Sequence, residues 1–266
     1  MYRSAVDDAF FVREGARLVA TALTRGPWSN EHQHGGPPAA LLAGAIERAG
    51  SDAAEFRLLR VTVEFLRPVP IAPLEVSTEM VRAGKQVQRV GASLSVGGVE
   101  VARALGLRLR RQQLDLAEPP ATPRPLPHPD GLVPHRFSFF RHEVAYHTAI
   151  ELRIARGAWA KGPVDAWMRP LFPLVRGEPT SACERVLILA DAESGVCPPL
   201  APDRWTFLNP DLTVYFGREP RGEWLGLEIT SEAHADGTGL AQSALSDLEG
   251  PFGRAAQGLV VAPRAP

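Results

Sequence analysis

The two halves of this chain share one register: sliding the N-terminal half forward by 151 positions aligns identical residues without a gap. Thr62 then lies on Thr213, and Leu94 lies on Leu245. Other identical pairs at this offset are Val63 with Val214, Phe65 with Phe216, Arg67 with Arg218, Leu74 with Leu225, Ser95 with Ser246, Arg103 with Arg254 and Ala104 with Ala255. A constant offset over such a stretch indicates a repeated structural unit. The chain is therefore predicted to contain two copies of one unit.

Each half is predicted to hold a helix followed by an antiparallel meander of long strands. In residues 57–67, apolar residues such as Val61 alternate with polar ones such as Thr62, which is typical of a half-buried strand. Gly97 and Gly98 separate two such runs and indicate a hairpin turn. The helices do not keep the offset, so an insertion is expected between helix and meander. The predicted strand segments are 10–24 (one or two strands), 57–67, 74–81, 86–96, 99–109, 143–156, 162–175, 208–216, 224–232, 238–247 and 254–261.

Helices are predicted near residues 38–49 and 179–191. The first follows the sequence Gly-Gly-Pro-Pro at 35–38, and proline suits the first turn of a helix, where an N–H group has no partner anyway. Gly35 and Gly36 leave their N–H groups uncovered at the positive end of the helix dipole, a site for a carbonyl oxygen or a phosphate. The alternative is an ordinary core helix that follows a flexible loop.

Residues 116–137 are rich in proline and show no apolar periodicity. Such a segment is predicted to be an extended and fairly stiff linker. It divides the chain into an N-terminal domain at 1–115 and a C-terminal domain at 138–266.

The composition argues against several classes of function. The net charge of −1 carries no basic excess of the kind that nucleic acids or anionic membranes attract. No apolar run is long enough to cross a bilayer, and charges interrupt the apolar runs of the N-terminus, so no leader is expected. Cys183 and Cys197 have neither metal nor redox spacing, which favours inert thiols in a reducing cytoplasm. His32 and His34 form a close pair without the other ligands of a metal site, and no metal or cofactor is predicted.

Polar residues that occur in only one copy of the repeat are candidates for a site. At the 151 offset, Asp211 stands opposite Arg60, and Gln257 stands opposite Gly106. Gln257 interrupts an apolar strand, where a buried amide needs hydrogen-bond partners. The alternatives are a turn or cap role for Asp211 and a water-facing edge position for Gln257.

Four segments carry a resemblance to a known family: the helix entry His34-Gly35-Gly36, and residues 60–67, 208–216 and 254–261. On these the sequence resembles the acyl-CoA thioesterase II-like family over nearly its whole length. The resemblance implies an α+β, double hot-dog fold, in which each of two tandem halves wraps a long antiparallel sheet around a central helix. It also implies an acyl-CoA or other acyl thioester substrate and, by analogy, a homo-oligomer.

The resemblance also assigns three residues. The family has a catalytic Asp at the start of the strand matched by Asp211 and a catalytic Gln in the last strand, matched by Gln257. Its third member is a Thr, whose place is taken here by Glu232. Asp211 would be the general base, Gln257 would orient the attacking water, and Glu232 would hold that water or repel Asp211. His34, Gly35 and Gly36 would bind the substrate, with the glycine N–H groups as an oxyanion hole.

Two other functions remain open from the sequence. A hot-dog enoyl-CoA hydratase-like lyase would use an acid and a histidine in the loop that enters the helix, where this chain has Glu31 with His32 or His34. A non-catalytic acyl-CoA-binding protein would account for the missing threonine.

Overall fold

A computed structural model describes residues 7–115 and 126–264. Within them, strands β1 to β14 join into one sheet, and every pairing between these strands is antiparallel. The order across the sheet is β1-β2-β4-β5-β6-β3-β11-β14-β13-β12-β9-β8-β7, and β10 pairs with β14.

The first half follows the predicted order closely. Its meander alternates buried and exposed residues, and its hairpin turns at Gly97 and Gly98, whose φ angles of 56° and 82° suit the tight turns that join antiparallel strands. The elements are β1 (Phe11–Glu14), β2 (Arg17–Ala20), α1 (Gly36–Arg48), β3 (Phe56–Phe65), β4 (Pro73–Ala83), β5 (Val87–Val96) and β6 (Val99–Arg110).

The second half differs from the prediction in several places. Short elements at Pro134–His135 and Glu193–Val196 were not predicted, and the strand predicted at 208–216 begins only at Asp211, after a separate strand at Trp205–Leu208. The segment predicted as a strand at 143–156 is extended only from Ile150, because residues 146–148 form a short 3-10 turn. We call residues 136–145, which precede this turn without forming a strand, the strap. The elements are β7 (Pro134–His135), β8 (Ile150–Arg156), β9 (Val164–Pro170), α2 (Ala182–Ala190), α3 (Glu193–Val196), β10 (Trp205–Leu208), β11 (Asp211–Phe216), β12 (Leu225–Ala233), β13 (Thr238–Asp247) and β14 (Gly250–Pro263).

The halves meet at strands β3 and β11, which pair in the middle of the sheet. Thr62 lies directly opposite Thr213, and the Thr213 hydroxyl donates to the Thr62 hydroxyl oxygen at 3.1 Å. These are residues that the 151-residue offset aligns. The repeated strands therefore lie side by side and give the molecule a continuous sheet across its centre.

The two long helices pack against each other in opposite directions. A Cβ atom at Gly36, the start of α1, would overlap the carbonyl oxygen of Ile188 near the end of α2. At the other end, Arg48 of α1 forms an ion pair with Glu184 in the first turn of α2 at 2.8 Å. Helix α1 also contacts β3 to β6, and α2 contacts β9 and β12. This arrangement brings the N-terminus of α1 and the C-terminus of α2 to one place.

The proline-rich segment lies partly outside the described residues, which resume at Leu126. From there it packs onto the second half rather than standing free. Leu126 is buried, and Trp167 donates through its indole N–H to the carbonyl of Pro127 at 2.6 Å. Arg153 holds the carbonyl of Pro129 at 2.8 Å.

Candidate active site

A cavity of about 540 Å³ opens where α1 begins and α2 ends. Its walls come from six parts of the chain: the loop before α1, the end of β3 with the turn that follows, the strap with Tyr146, the segment from Asp191 to Gly195, the end of β10 with the turn that follows, and Val260 of β14. The volume lies within the range of about 300–1,000 Å³ that is usual for small-molecule sites. Polar groups meet at the helix ends, and most of the remaining wall is apolar.

Asp191 is the central polar group of this cavity. It follows directly after α2 and is only 4% exposed. Its Oδ2 lies 2.9 Å from Nδ1 of His34, and its Oδ1 accepts a hydrogen bond from the amide of Asn209 at 2.7 Å. Since a carboxylate offers about four acceptor positions, each oxygen can accept a further bond. Asp191 is thus held in place and can still take a proton from a water molecule.

His34 is oriented by two contacts besides the one with Asp191. Its ring stacks on Tyr146 at 3.7 Å with an angle of 5° between planes, and its backbone N–H donates to the carbonyl of Thr24 at 2.7 Å. Tyr146 is fully buried and donates its hydroxyl to the carbonyl of Ile188 at 2.7 Å, while burial raises its pKa well above the usual value. The histidine ring is therefore fixed against a phenol that stays neutral.

The N–H of Gly36 lies 3.2 Å from Nδ1 of His34, the atom that also faces Asp191. One ring nitrogen cannot accept from Gly36 and donate to Asp191 at the same time. We assign the proton to Nδ1 because a bond to a carboxylate is the stronger one. With that assignment the Gly36 N–H has no acceptor in His34.

The two glycines predicted to bind substrate differ in position. Gly35 lines the cavity, and a Cβ atom there would lie 2.9 Å from both oxygens of Asp191. Gly36 is buried behind it, and its N–H does not face open space as expected but points toward His34. Both positions need glycine because the ends of α1 and α2 approach so closely.

Asp211 lies outside the lining of this cavity. Its Oδ1 accepts a hydrogen bond from the N–H of Gly258 at 2.9 Å. The pairing of Thr213 with Ala256 places Gln257 opposite Leu212, on the buried face of the sheet, whereas the alternation of the strand turns Asp211 to the other face. The two side chains thus face opposite sides of the sheet, and a water shared between Asp211 and Gln257 stays a prediction.

Gln257 belongs to a buried polar cluster behind α3. It is 1% exposed, and neither its amide nitrogen nor its amide oxygen has a hydrogen-bond partner of good geometry. Glu193, fully buried beside it, accepts a hydrogen bond from the hydroxyl of Ser243. Burial raises the pKa of Glu193 to about 8, and the nearby charge of Asp191 adds to the rise, against the opposing effects of Ser243 and Gln257.

Glu232 lies apart from these groups. Its side chain on β12 is 63% exposed, and its nearest ionic neighbour is His234, 3.8 Å away. The structure thus brings together His34, Gly35 and Asp191, and leaves Asp211 and Glu232 elsewhere. The catalytic roles of Asp211, Gln257 and Glu232 stay predictions.

Asp191 and Asn209 are the two site residues that sequence reasoning missed. Asp191 is the last residue of the predicted helix 179–191, and Asn209 lies two residues before Asp211, the predicted general base. The sequence feature that points to both residues is their position at the end of an element, because functional side chains are often carried by the loops that begin there. Asp191 lies in a predicted helix, where the two halves do not keep the 151-residue offset. Asn209 stands opposite Leu58 at that offset, so the comparison that singled out Asp211 could also have found it.

Two further features concern ions and membranes. Among residues 7–115 and 126–264, no group of three or more His, Cys, Asp and Glu side chains is placed to hold a metal ion. No helix in these same parts of the chain has the length and apolar character needed to cross a bilayer.

Solved structures with a similar fold cover almost the whole chain. A hot-dog fold protein from Alicyclobacillus acidocaldarius is 17% identical, with a TM-score of 0.72, and the match covers 98% of each chain. The tesB protein of Mycobacterium avium subs paratuberculosis is 18% identical with a TM-score of 0.66, covering 95% of this chain and 96% of that one. An acyl-CoA thioesterase II from Mycobacterium marinum is 17% identical with a TM-score of 0.61, covering 88% and 90%. These likenesses establish the predicted hot-dog fold.

Sequence comparison identifies the family. No curated protein matches the chain. Residues 24–109 match the acyl-CoA thioesterase N-terminal domain, and residues 118–261 match the acyl-CoA thioesterase C-terminal domain. Together the two matches span most of the sequence, which confirms the resemblance found in the motifs. The chain belongs to the acyl-CoA thioesterase family.

Proposed function

We propose that this protein hydrolyses acyl-CoA thioesters with Asp191 as the general base. The observation that carries the proposal is the position of the Asp191 carboxylate, which is 4% exposed and lies at the wall of a 540 Å³ cavity beside the N-terminus of α1. Thioester hydrolysis needs a base for water and donors for an oxyanion, and both kinds of group meet at this point.

The chemistry begins with a water molecule that donates one hydrogen bond to Asp191. Asp191 takes the proton as the water oxygen attacks the thioester carbonyl carbon. The negative charge that forms on the carbonyl oxygen is stabilised by the N–H group of Gly35 at the positive end of α1. When the carbon–sulfur bond breaks, the leaving thiolate takes up the proton from Asp191, and the products are a carboxylic acid and a thiol.

Asn209 and His34 act by positioning. The Asn209 amide donates to Oδ1 of Asp191, and the Nδ1 proton of His34 points at Oδ2. These two bonds fix the plane of the carboxylate, so that its free acceptor positions have a defined direction. Removing either donor should lower turnover more than substrate binding, because the carboxylate would lose its orientation relative to the water.

The test measures release of free thiol from a panel of acyl-CoAs. Asp191→Asn keeps the size of the side chain but removes the base. Its amide oxygen can accept from Asn209, and its NH2 group can donate to Nδ1 of His34 once the ring proton moves to Nε2. The substitution should lower kcat by ~10²–10⁴-fold, and a melting curve checks that the variant is folded. The matched control is Asp211→Asn, which retains an oxygen that can accept from Gly258 and should leave turnover unchanged. Loss of turnover in Asp211→Asn with normal activity in Asp191→Asn would reverse the assignment.

The same protein preparation separates the competing functions. Addition of water to crotonyl-CoA would indicate a lyase, and tight binding of acyl-CoA without thiol release or hydration would indicate a binding protein. Either result, with no hydrolysis of any acyl-CoA, would refute the proposal.

The architecture that we propose for this function is a tandem of two hot-dog units, each with a central helix, at residues 1–115 and 138–266. Contacts of α1 with β3 to β6 and of α2 with β9 and β12 support it. The expected homo-oligomer stays a prediction, which light scattering of the purified protein would test.

A further inference from the structure

Aromatic side chains dominate the apolar wall of the cavity. Seven of its 26 lining residues are Phe, Trp or Tyr, whereas these types make up 7% of the whole chain. A channel for a flexible alkyl chain can be lined by branched aliphatic residues as well as by aromatic ones. Among the lining residues here, the branched aliphatic ones are Leu66, Val69, Leu208 and Val260. The apolar wall of the cavity is therefore made mainly of aromatic rings.

The rings form a connected cage with faces and edges at different angles. Trp28 meets Phe207 edge-to-face at 5.3 Å with an angle of 84°, and it lies 5.9 Å from Phe139. Phe139 in turn lies 5.7 Å from Phe137 at 76° and 5.2 Å from Phe140 at 41°. Aromatic pairs favour such tilted and edge-to-face geometries, so a further ring entering the cage can find several favourable contacts.

The cage is preorganised because the strap that carries three of its rings is tied down. Arg25 donates to the carbonyl of Val144 at 3.0 Å, and its own carbonyl accepts from the N–H of Tyr146 at 3.0 Å. His142 and Asn30 form a side-chain hydrogen bond at 2.5 Å. The rings are thus held in position before a ligand arrives, which lowers the entropic cost of binding.

The cage begins close to the reacting groups. Phe207 lies two residues before Asn209, which places their Cα atoms about 6–7 Å apart in extended chain. Phe65 approaches from the other side, since its Cζ would lie 2.7 Å from a Cβ atom at Gly35. A short acyl group with its carbonyl at Gly35 would therefore place its terminal part among the rings.

We infer that the acyl site selects aryl-containing acyl groups, in which a planar ring stands a short spacer away from the thioester carbonyl. This inference rests on the proposed hydrolase function. A planar ring gains edge and face contacts that an alkyl chain lacks, and it freezes fewer rotatable bonds on binding.

The experiment compares kcat/KM for phenylacetyl-CoA and octanoyl-CoA, which have the same number of acyl carbons. The aryl substrate should be favoured by about tenfold, since each ring contact is worth a factor of about two to ten. Phe139→Leu should reduce the aryl-to-alkyl ratio by about two- to tenfold, mainly through the aryl substrate. Phe140→Leu is a second variant of the same cage, for use if the first lowers the melting temperature.

The control is Phe252→Leu. Phe252 is buried, stacks on Phe216 at 6.5 Å and lies outside the cavity lining, so the substitution should leave the ratio unchanged. Equal or faster turnover of octanoyl-CoA, or equal ratios in all variants, would overturn the aryl inference and leave the hydrolase function standing. Absence of thiol release from every acyl-CoA would instead overturn the proposed function itself.

Discussion

Glu193 should make the stability of this protein fall as the pH rises through neutrality, and Glu193→Gln should remove that loss. The side chain is fully buried, one of its carboxylate oxygens has no hydrogen-bond partner, and the charge of Asp191 lies nearby. Burial raises its pKa from the ordinary value of 4.5 to about 8. The folded protein therefore keeps a proton on Glu193 at neutral pH, which the unfolded chain has already released.

The size of the effect follows from proton linkage. Between pH 4.5 and about 8 the folded state binds one more proton than the unfolded state, so the contribution of Glu193 is fully present below pH 4.5 and is lost as the pH rises. The free energy of unfolding should fall by about 1.36 kcal/mol for each pH unit. From about pH 5.5 to about pH 7.5 the loss is about 2–3 kcal/mol, which is large for a single side chain.

The assay is denaturant unfolding of the wild-type protein and of Glu193→Gln at several pH values in this interval. Glutamine is neutral in both states, so the stability of the variant relative to the wild type should grow by about 2–3 kcal/mol between about pH 5.5 and about pH 7.5. Glu232→Gln is the control, because that side chain is 63% exposed and should show no such trend. A constant difference between Glu193→Gln and the wild type would refute the reasoning.

Three other substitutions test the packing of the helix ends and a buried carboxylate. Gly36→Ala would force a Cβ atom onto the backbone carbonyl of Ile188 and should lower the melting temperature. Gly35→Ala would place a Cβ atom 2.9 Å from the Asp191 carboxylate and should mainly lower kcat. The same loss of stability in both variants would contradict this difference between the two glycines. Arg218→Met leaves the buried carboxylate of Asp247 without the guanidinium that contacts it at 2.6 Å, although two backbone N–H groups still donate to it. The substitution should destabilise the fold by about 1–3 kcal/mol in urea unfolding. Thiol release by the folded variant should stay normal, since neither residue lines the cavity.

Local patterns in the sequence determined the elements and their order. Strict alternation in segments such as 57–67 defines strands, and the glycine–proline entry at 35–38 defines the start of a helix, because both depend only on neighbouring residues. The 151-residue offset also predicted that the two halves repeat one structural unit, since copies of one unit keep the spacing of their strands. The family resemblance rested on these same segments.

Only the tertiary structure decided which polar residues meet. Asp211 and Gln257 lie on neighbouring strands, but a shift of one residue turns a side chain to the opposite face of a sheet, and sequence alone did not fix that shift. Asp191, Asn209 and His34 come from a helix end and two loops, whose meeting depends on the antiparallel packing of α1 against α2. The site is set by the relative placement of distant elements, and this placement results from burial of their apolar faces rather than from any local signal.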